Sequence, residues 1–182
     1  MTTSPPHPDP ALRLTGLVKR FGDKEAVADL HLTVPTGSFY GLVGPNGAGK
    51  TTTLSMATGL LRPDAGTAEI SGVDVWRDPV RAKAMVGVLS DGVRLFDRLT
   101  GAQLITYTGM MFGLARADLA QRTADLLQLM DLTASAGVPV VDYSAGMTKK
   151  IGLACALVHA PRLLVLDEPF ESVDPVSAAN IE

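Results

Sequence analysis

The chain has 182 residues, 46% of them hydrophobic, and its 16 basic and 19 acidic residues give a formal charge of −3. That length and apolar content suffice for one well-cored domain, and a near-balanced charge without long runs of either sign gives no electrostatic footprint for nucleic acid. The single cysteine, Cys155, excludes an internal disulfide framework and suits a reducing compartment, and no apolar run reaches the roughly 18 to 20 residues of a bilayer-spanning helix.

Residues 1–10 contain four prolines and no apolar core of a secretory signal, which predicts a flexible arm. Residues 12–14 and 27–34 alternate apolar with polar positions on either side of Gly22 and Asp23, the pattern of a small antiparallel hairpin. Residues 38–43 read as a buried strand leading into a glycine-rich loop. Residues 67–70 and 85–89 are further short strands, separated by a helix that Asp78 and Pro79 would start. From 101 to 130 the period becomes helical, with Leu119, Leu126, Leu127 and Met130 on one face, which predicts a helical insert. A helix should follow Ser144 as far as about His159, and residues 162–166 form an apolar strand that ends on Asp167 and Glu168. Strands that alternate with helices and are buried on both faces predict a parallel α/β core.

Two segments carry chemistry. Gly44, Pro45, Asn46, Gly47, Ala48, Gly49, Lys50 and Thr51 fit G-x-x-x-x-G-K-[ST] between a predicted strand and a predicted helix, and Thr52 follows in the helix. The glycines allow backbone N–H groups to point at phosphate oxygens, the helix N-terminus adds positive potential, Lys50 supplies a mobile cation and the Thr51 hydroxyl can coordinate Mg²⁺. Asp167 and Glu168 sit at the C-terminal edge of a hydrophobic strand, where open α/β sheets bind ligands. There Asp167 would hold Mg²⁺ and Glu168 would polarise an attacking water.

A third segment, Tyr143-Ser144-Ala145-Gly146-Met147, resembles the LSGGQ signature of ABC proteins, and Ser172-Val173-Asp174-Pro175 resembles their D-loop. With these motifs in this order, the chain resembles the ATP-binding domain of ABC transporters. The resemblance implies an α/β P-loop NTPase core of the ABC ATPase type, with a small antiparallel β region and an α-helical insert. It implies a single domain over 11–182, divided into a β region and P-loop core (11–90), a helical insert with the signature (91–148) and the acidic strand with the D-loop (149–182).

By the same resemblance the cofactors are ATP and Mg²⁺, and the catalytic residues are Glu168 and Lys50. Phe21 would stack on adenine, and Asp91, at the position of the Q-loop glutamine, would face the metal with Thr51 and Asp167. Ser144, Ala145, Gly146 and Met147 would meet the γ-phosphate of ATP held by a second such domain in a head-to-tail dimer. The further partner would be an integral membrane transporter subunit, with the chain peripheral on the cytoplasmic side. Leu99-Thr100-Gly101, Tyr107 and Phe112-Gly113-Leu114 resemble the helical region of exporter subunits.

The departures from the family pattern are Tyr143 for Leu, Ala145 for Gly and Met147 for Gln in the signature, Asp91 for the Q-loop glutamine, and no histidine after the D-loop. Ala145 would be costly if its backbone needed positive φ or close approach to phosphate. Lacking the histidine, the chain is expected to be incomplete at its C-terminal part and to bind nucleotide with weak or absent hydrolysis. Two alternatives remain: a degenerate ATP-binding regulatory module, and a soluble ABC ATPase of repair or translation.

Overall fold

The structure, a computed structural model, describes residues 9–90 and 95–167. The chain divides into two compact units, Met1–Val86 and Gly87–Glu182.

In the first unit, β1 (Leu12–Phe21) and β2 (Lys24–Val34) form the expected hairpin, longer than the alternation alone suggested. With β3 (Ala65–Ile70) and β4 (Val73–Asp74) they make an antiparallel sheet in the order β2-β1-β3-β4. Leu12 and Leu14 point inward as period two requires, yet Leu17, of opposite parity, is also fully buried. The ladder with β2 shifts register between Leu14 and Leu17, and Gly16 at φ 60° supplies the left-handed residue for this bulge. The shift turns Leu17 back to the inner face. Ala68 and Ile70 of β3 and Met56 of α1 (Lys50–Ala57) join the buried set, each large side chain contributing about 2 kcal/mol by leaving water. The short α2 (Pro79–Lys83) starts as its sequence requires: Pro79 opens it and the Asp78 carboxylate accepts from the Arg81 amide at 3.2 Å.

The second unit begins within β5 (Val86–Leu89), which pairs with β6 (Leu163–Leu166), and the helical insert splits into α3 (Gly101–Met111) and α4 (Arg116–Leu129). α3 begins with a reciprocal cap: Gln103 N–H donates to Thr100 Oγ1 at 3.3 Å and Thr100 N–H donates to Gln103 Oε1 at 3.0 Å. Leu119, Leu126, Leu127 and Met130 are all buried, as the helical period predicted. They pack with Leu104 and Ile105 of α3 and with Ile151 and Val158, the latter at the C-cap of α5 (Ala145–Leu157).

One predicted element is absent. Residues 38–43 form no strand: Phe39 is 97% exposed and Val43 93%. The composition suits a strand, but a strand exists only through a neighbour that takes its backbone hydrogen bonds. Among the described residues, no strand pairs with this stretch. The two-residue β4, by contrast, is too short to leave a pattern in the sequence.

Candidate functional site

The phosphate-binding loop enters α1 through Gly49, the N-cap residue, at φ 85°. A Cβ there would overlap the Ala26 carbonyl oxygen of β2, so glycine is required twice, by its dihedral and by the approach of the strand. The β1–β2 hairpin thus forms the floor against which the loop turns. Gly47 is also left-handed, at φ 81°, but faces open space, and the Ala48 amide donates to the Pro45 carbonyl at 3.1 Å to close the turn.

No side chain caps α1. Its first-turn amides, those of Lys50, Thr51 and Thr52, therefore remain available to an anion, and the helix dipole adds to their attraction. Lys50 folds back across the loop, its ammonium donating to the Gly44 carbonyl at 2.7 Å and to the Pro45 carbonyl at 3.0 Å. The cation is thereby held at the mouth of the loop that the sequence assigns to phosphate. Thr51 is exposed, whereas Thr53 is buried and serves the core.

Phe21 ends β1 on the same hairpin and is 51% exposed, with the Lys19 ammonium 5.6 Å from its ring centroid. That ammonium is committed elsewhere, donating to Asp64 at 2.8 Å and to the Arg62 carbonyl at 3.0 Å. The aromatic face is an accessible platform rather than a core residue.

In the second unit, Asp167 follows β6 directly, and its amide donates to the Leu89 carbonyl at the end of β5 at 2.9 Å. The strand pair thus fixes the backbone from which its half-buried carboxylate projects. Glu168, Asp91 and the 172–175 segment lie outside the described residues.

Ser144 is the N-cap of α5, with extended backbone (φ −64°, ψ 163°) and its hydroxyl accepting from the Met147 amide at 3.3 Å. The bland role expected of a serine before a helix is therefore filled. The residue is nonetheless exposed, and its oxygen keeps a second lone pair. Ala145 opens the helix and is not among the residues at positive φ, so its Cβ carries no backbone penalty. An added Cβ at Gly146 would meet nothing within 4 Å. Nothing within the chain demands glycine there, although it weakens a helix by about 0.5–1 kcal/mol relative to alanine.

Mg²⁺ takes one or two protein oxygens and completes its shell with water and substrate phosphates. Taken separately, the Thr51 hydroxyl and the Asp167 carboxylate are each oxygen donors of the kind that Mg²⁺ takes. The described residues hold no group of three or more His, Cys, Asp or Glu side chains placed to hold a metal ion.

Comparison with known proteins gives a consistent picture. The sequence profile described as ABC transporter matches residues 27–171. The chain is 34% identical over 170 residues to the linearmycin resistance ATP-binding protein LnrL of Bacillus subtilis, covering 93% of this chain and 55% of that protein. It is 38% identical to the daunorubicin/doxorubicin resistance ATP-binding protein DrrA of Streptomyces peucetius, covering 96% of this chain and 53% of that protein. It is likewise 38% identical to the Nod factor export ATP-binding protein I of Sinorhizobium fredii, with coverage of 92% and 49%. The chain spans about half the length of these curated relatives. A solved structure described as the ATP binding subunit of an ABC transporter superposes with a TM-score of 0.85 at 27% identity, over 93% of this chain and 71% of that one.

Proposed function

We propose that this chain, which belongs to the ABC transporter family, is the ATP-binding part of an export system that couples Mg·ATP binding and hydrolysis to movement of a substrate by an integral membrane partner. The observation that carries the reading is the phosphate loop: a left-handed glycine as N-cap, an uncapped helix start, and Lys50 held over the loop carbonyls. Such a loop recognises the phosphates of a nucleotide through fixed amides and one mobile cation. Export is supported by the names of the similar proteins, two of which are named for drug resistance and one for Nod factor export.

In this reading residues 11–182 act as one ATP-binding domain. Lys50 would leave the loop carbonyls for the outer phosphates, Phe21 would offer its ring to the adenine, and Thr51 and Asp167 would hold Mg²⁺, which would neutralise phosphate charge. Glu168 would orient the attacking water, and Asp91, by its place in the sequence, would face the metal. Ser144 and the open surface at Gly146 meet the γ-phosphate carried by a second ATP-binding domain. The free space over Gly146 supports this last assignment, because a Cβ there would cost the chain nothing and its absence leaves room for an approaching group. The chain sits at the cytoplasmic face of the membrane as a peripheral subunit, in keeping with the lack, among the described residues, of a helix long and apolar enough to span a bilayer.

The regulatory-module alternative loses one of its supports, since Ala145 sits in an unstrained first helical turn. The deciding experiment is Mg·ATP binding and phosphate release by the chain and by its Lys50→Ala variant over a range of protein concentrations. The proposal expects the variant to bind ATP at least tenfold more weakly, and any turnover to rise more than linearly with concentration. Equal affinity in the two proteins refutes the assignment of the loop. Turnover strictly linear in concentration refutes the dimeric site.

A further inference from the structure

We infer that Tyr143 is the positioning residue of the signature segment: its hydroxyl, held by the Ser135 carbonyl and seated against Gly101, fixes where α5 presents Ser144. The functional consequence rests on the assignment of Ser144 under Proposed function; the positioning itself does not.

Tyr143 is 8% exposed and packs in the core of the helical insert with Leu104, Ile151 and Val140. Its hydroxyl donates to the Ser135 carbonyl at 2.7 Å, at the end of the 3-10 turn Thr133–Ser135. A Cβ on Gly101 would overlap the phenol oxygen, and Gly101 is the first residue of α3, directly after its Thr100 cap. Three chain segments therefore meet on one oxygen: the turn at 133–135, the start of α3, and the residue preceding the N-cap of α5. Tyr143 is extended (φ −76°, ψ 143°), and its amide donates to Val140 at 3.0 Å, so ring and backbone are tied at both ends. Ser144 is the next residue. A displacement of the ring passes through one peptide unit to the serine hydroxyl and to the first-turn amides of α5.

A leucine at 143 could fill the apolar part of this site but could not bond the Ser135 carbonyl. Gly101 is the second half of the device, because any larger residue at that helical position would collide with the phenol. The two residues form a matched pair 42 positions apart (143 against 101).

The test uses the whole chain and three variants, Tyr143→Phe, Gly101→Ala and the double variant, read by amide hydrogen exchange of peptides over 143–150 and 44–52. Loss of one neutral hydrogen bond, about 1 kcal/mol, corresponds to an increase of about fivefold in first-turn exchange of α5 in Tyr143→Phe. The loop peptide 44–52 should stay unchanged. Gly101→Ala should give the same local effect, and the double variant should fall well short of the product of the two, as coupled neighbours do. With Mg·ATP added, Tyr143→Phe should keep the wild-type affinity for nucleotide while its ATP-dependent self-association weakens severalfold. Unchanged α5 exchange, equal loosening of both peptides, or strictly multiplicative variants would each overturn the inference. If the unmutated chain shows no ATP-dependent association, the dimeric assignment of Ser144 fails, and the exchange result alone still decides whether Tyr143 positions the segment.

Discussion

The sharpest prediction compares two glycines of the phosphate loop, Gly49, which the motif fixes, and Gly47, at a position that the motif leaves open. Gly47 and Gly49 both have positive φ, 81° and 85°, so alanine at either must adopt the left-handed conformation. That costs roughly 1–2 kcal/mol, partly offset by about 0.4–1 kcal/mol from the stiffer unfolded chain. At Gly47 nothing lies within 4 Å of the new Cβ, so Gly47→Ala should lower stability by about 1 kcal/mol or less. At Gly49 the Cβ also overlaps the Ala26 carbonyl, and the Val27 Cγ2 atom is 3.3 Å away. Either the loop moves off β2 or the strand bends, which adds on the order of 1–3 kcal/mol as in overpacked cores. Urea unfolding followed by the fluorescence of Trp76, the single tryptophan and a residue of the same unit, reads the difference. With a slope of about 1–3 kcal/mol per molar, Gly49→Ala should unfold at a clearly lower midpoint than Gly47→Ala. Equal midpoints for the two variants would refute the claim that β2 shapes the loop.

Other outcomes follow from the same geometry. Ser144→Ala removes the bond to the Met147 amide and should cost about 1 kcal/mol in stability, whereas Ser144→Gly should cost only a few tenths; identical melting of both variants would show that the cap contributes nothing. Ile105→Ala, at a position with no exposure, should cost about 2–5 kcal/mol by thermal or chemical unfolding. Asp64 is held below the usual carboxylate range by its bonds from the Lys19 ammonium and the Arg20 amide. A depressed carboxylate contributes stability above its unfolded value near 4, and that contribution is lost as pH falls through the folded value. Asp64→Asn should therefore flatten the acid limb of the stability curve below about pH 4. Burial pushes the Cys155 thiol up to about 11, against a bond from Thr108 that lowers it. A raised thiol leaves stability intact below its unfolded value near 9 and erodes it from there up to about 11. At pH 8 the folded chain should resist a disulfide-exchange reagent that labels the unfolded chain promptly.

Much of the fold and of the loop was legible in the residues alone. The G-x-x-x-x-G-K-T string marks the left-handed Gly49 and a helix start through local sterics, and Ser144 announces its helix through a short-range capping bond. Periods of two and 3.6 located the hairpin, the insert and its buried face. These signals are local, and the forces behind them act within a few residues.

What only the tertiary structure decided depends on partners distant in the chain. Residues 38–43 have the composition of a strand but no described neighbour to take their hydrogen bonds, and no composition can supply one. Leu17 is buried because a register shift reverses its parity, which no alternation rule anticipates. The departure at Ala145 carries no backbone strain, because the chain enters α5 at ordinary dihedrals. The departure at Tyr143, which reads in sequence as a deviation from a motif, is matched by Gly101 and a carbonyl at Ser135. Local sequence names the residue types that a turn, a cap or a phosphate requires, whereas close approach between distant segments decides which of those residues can be exchanged.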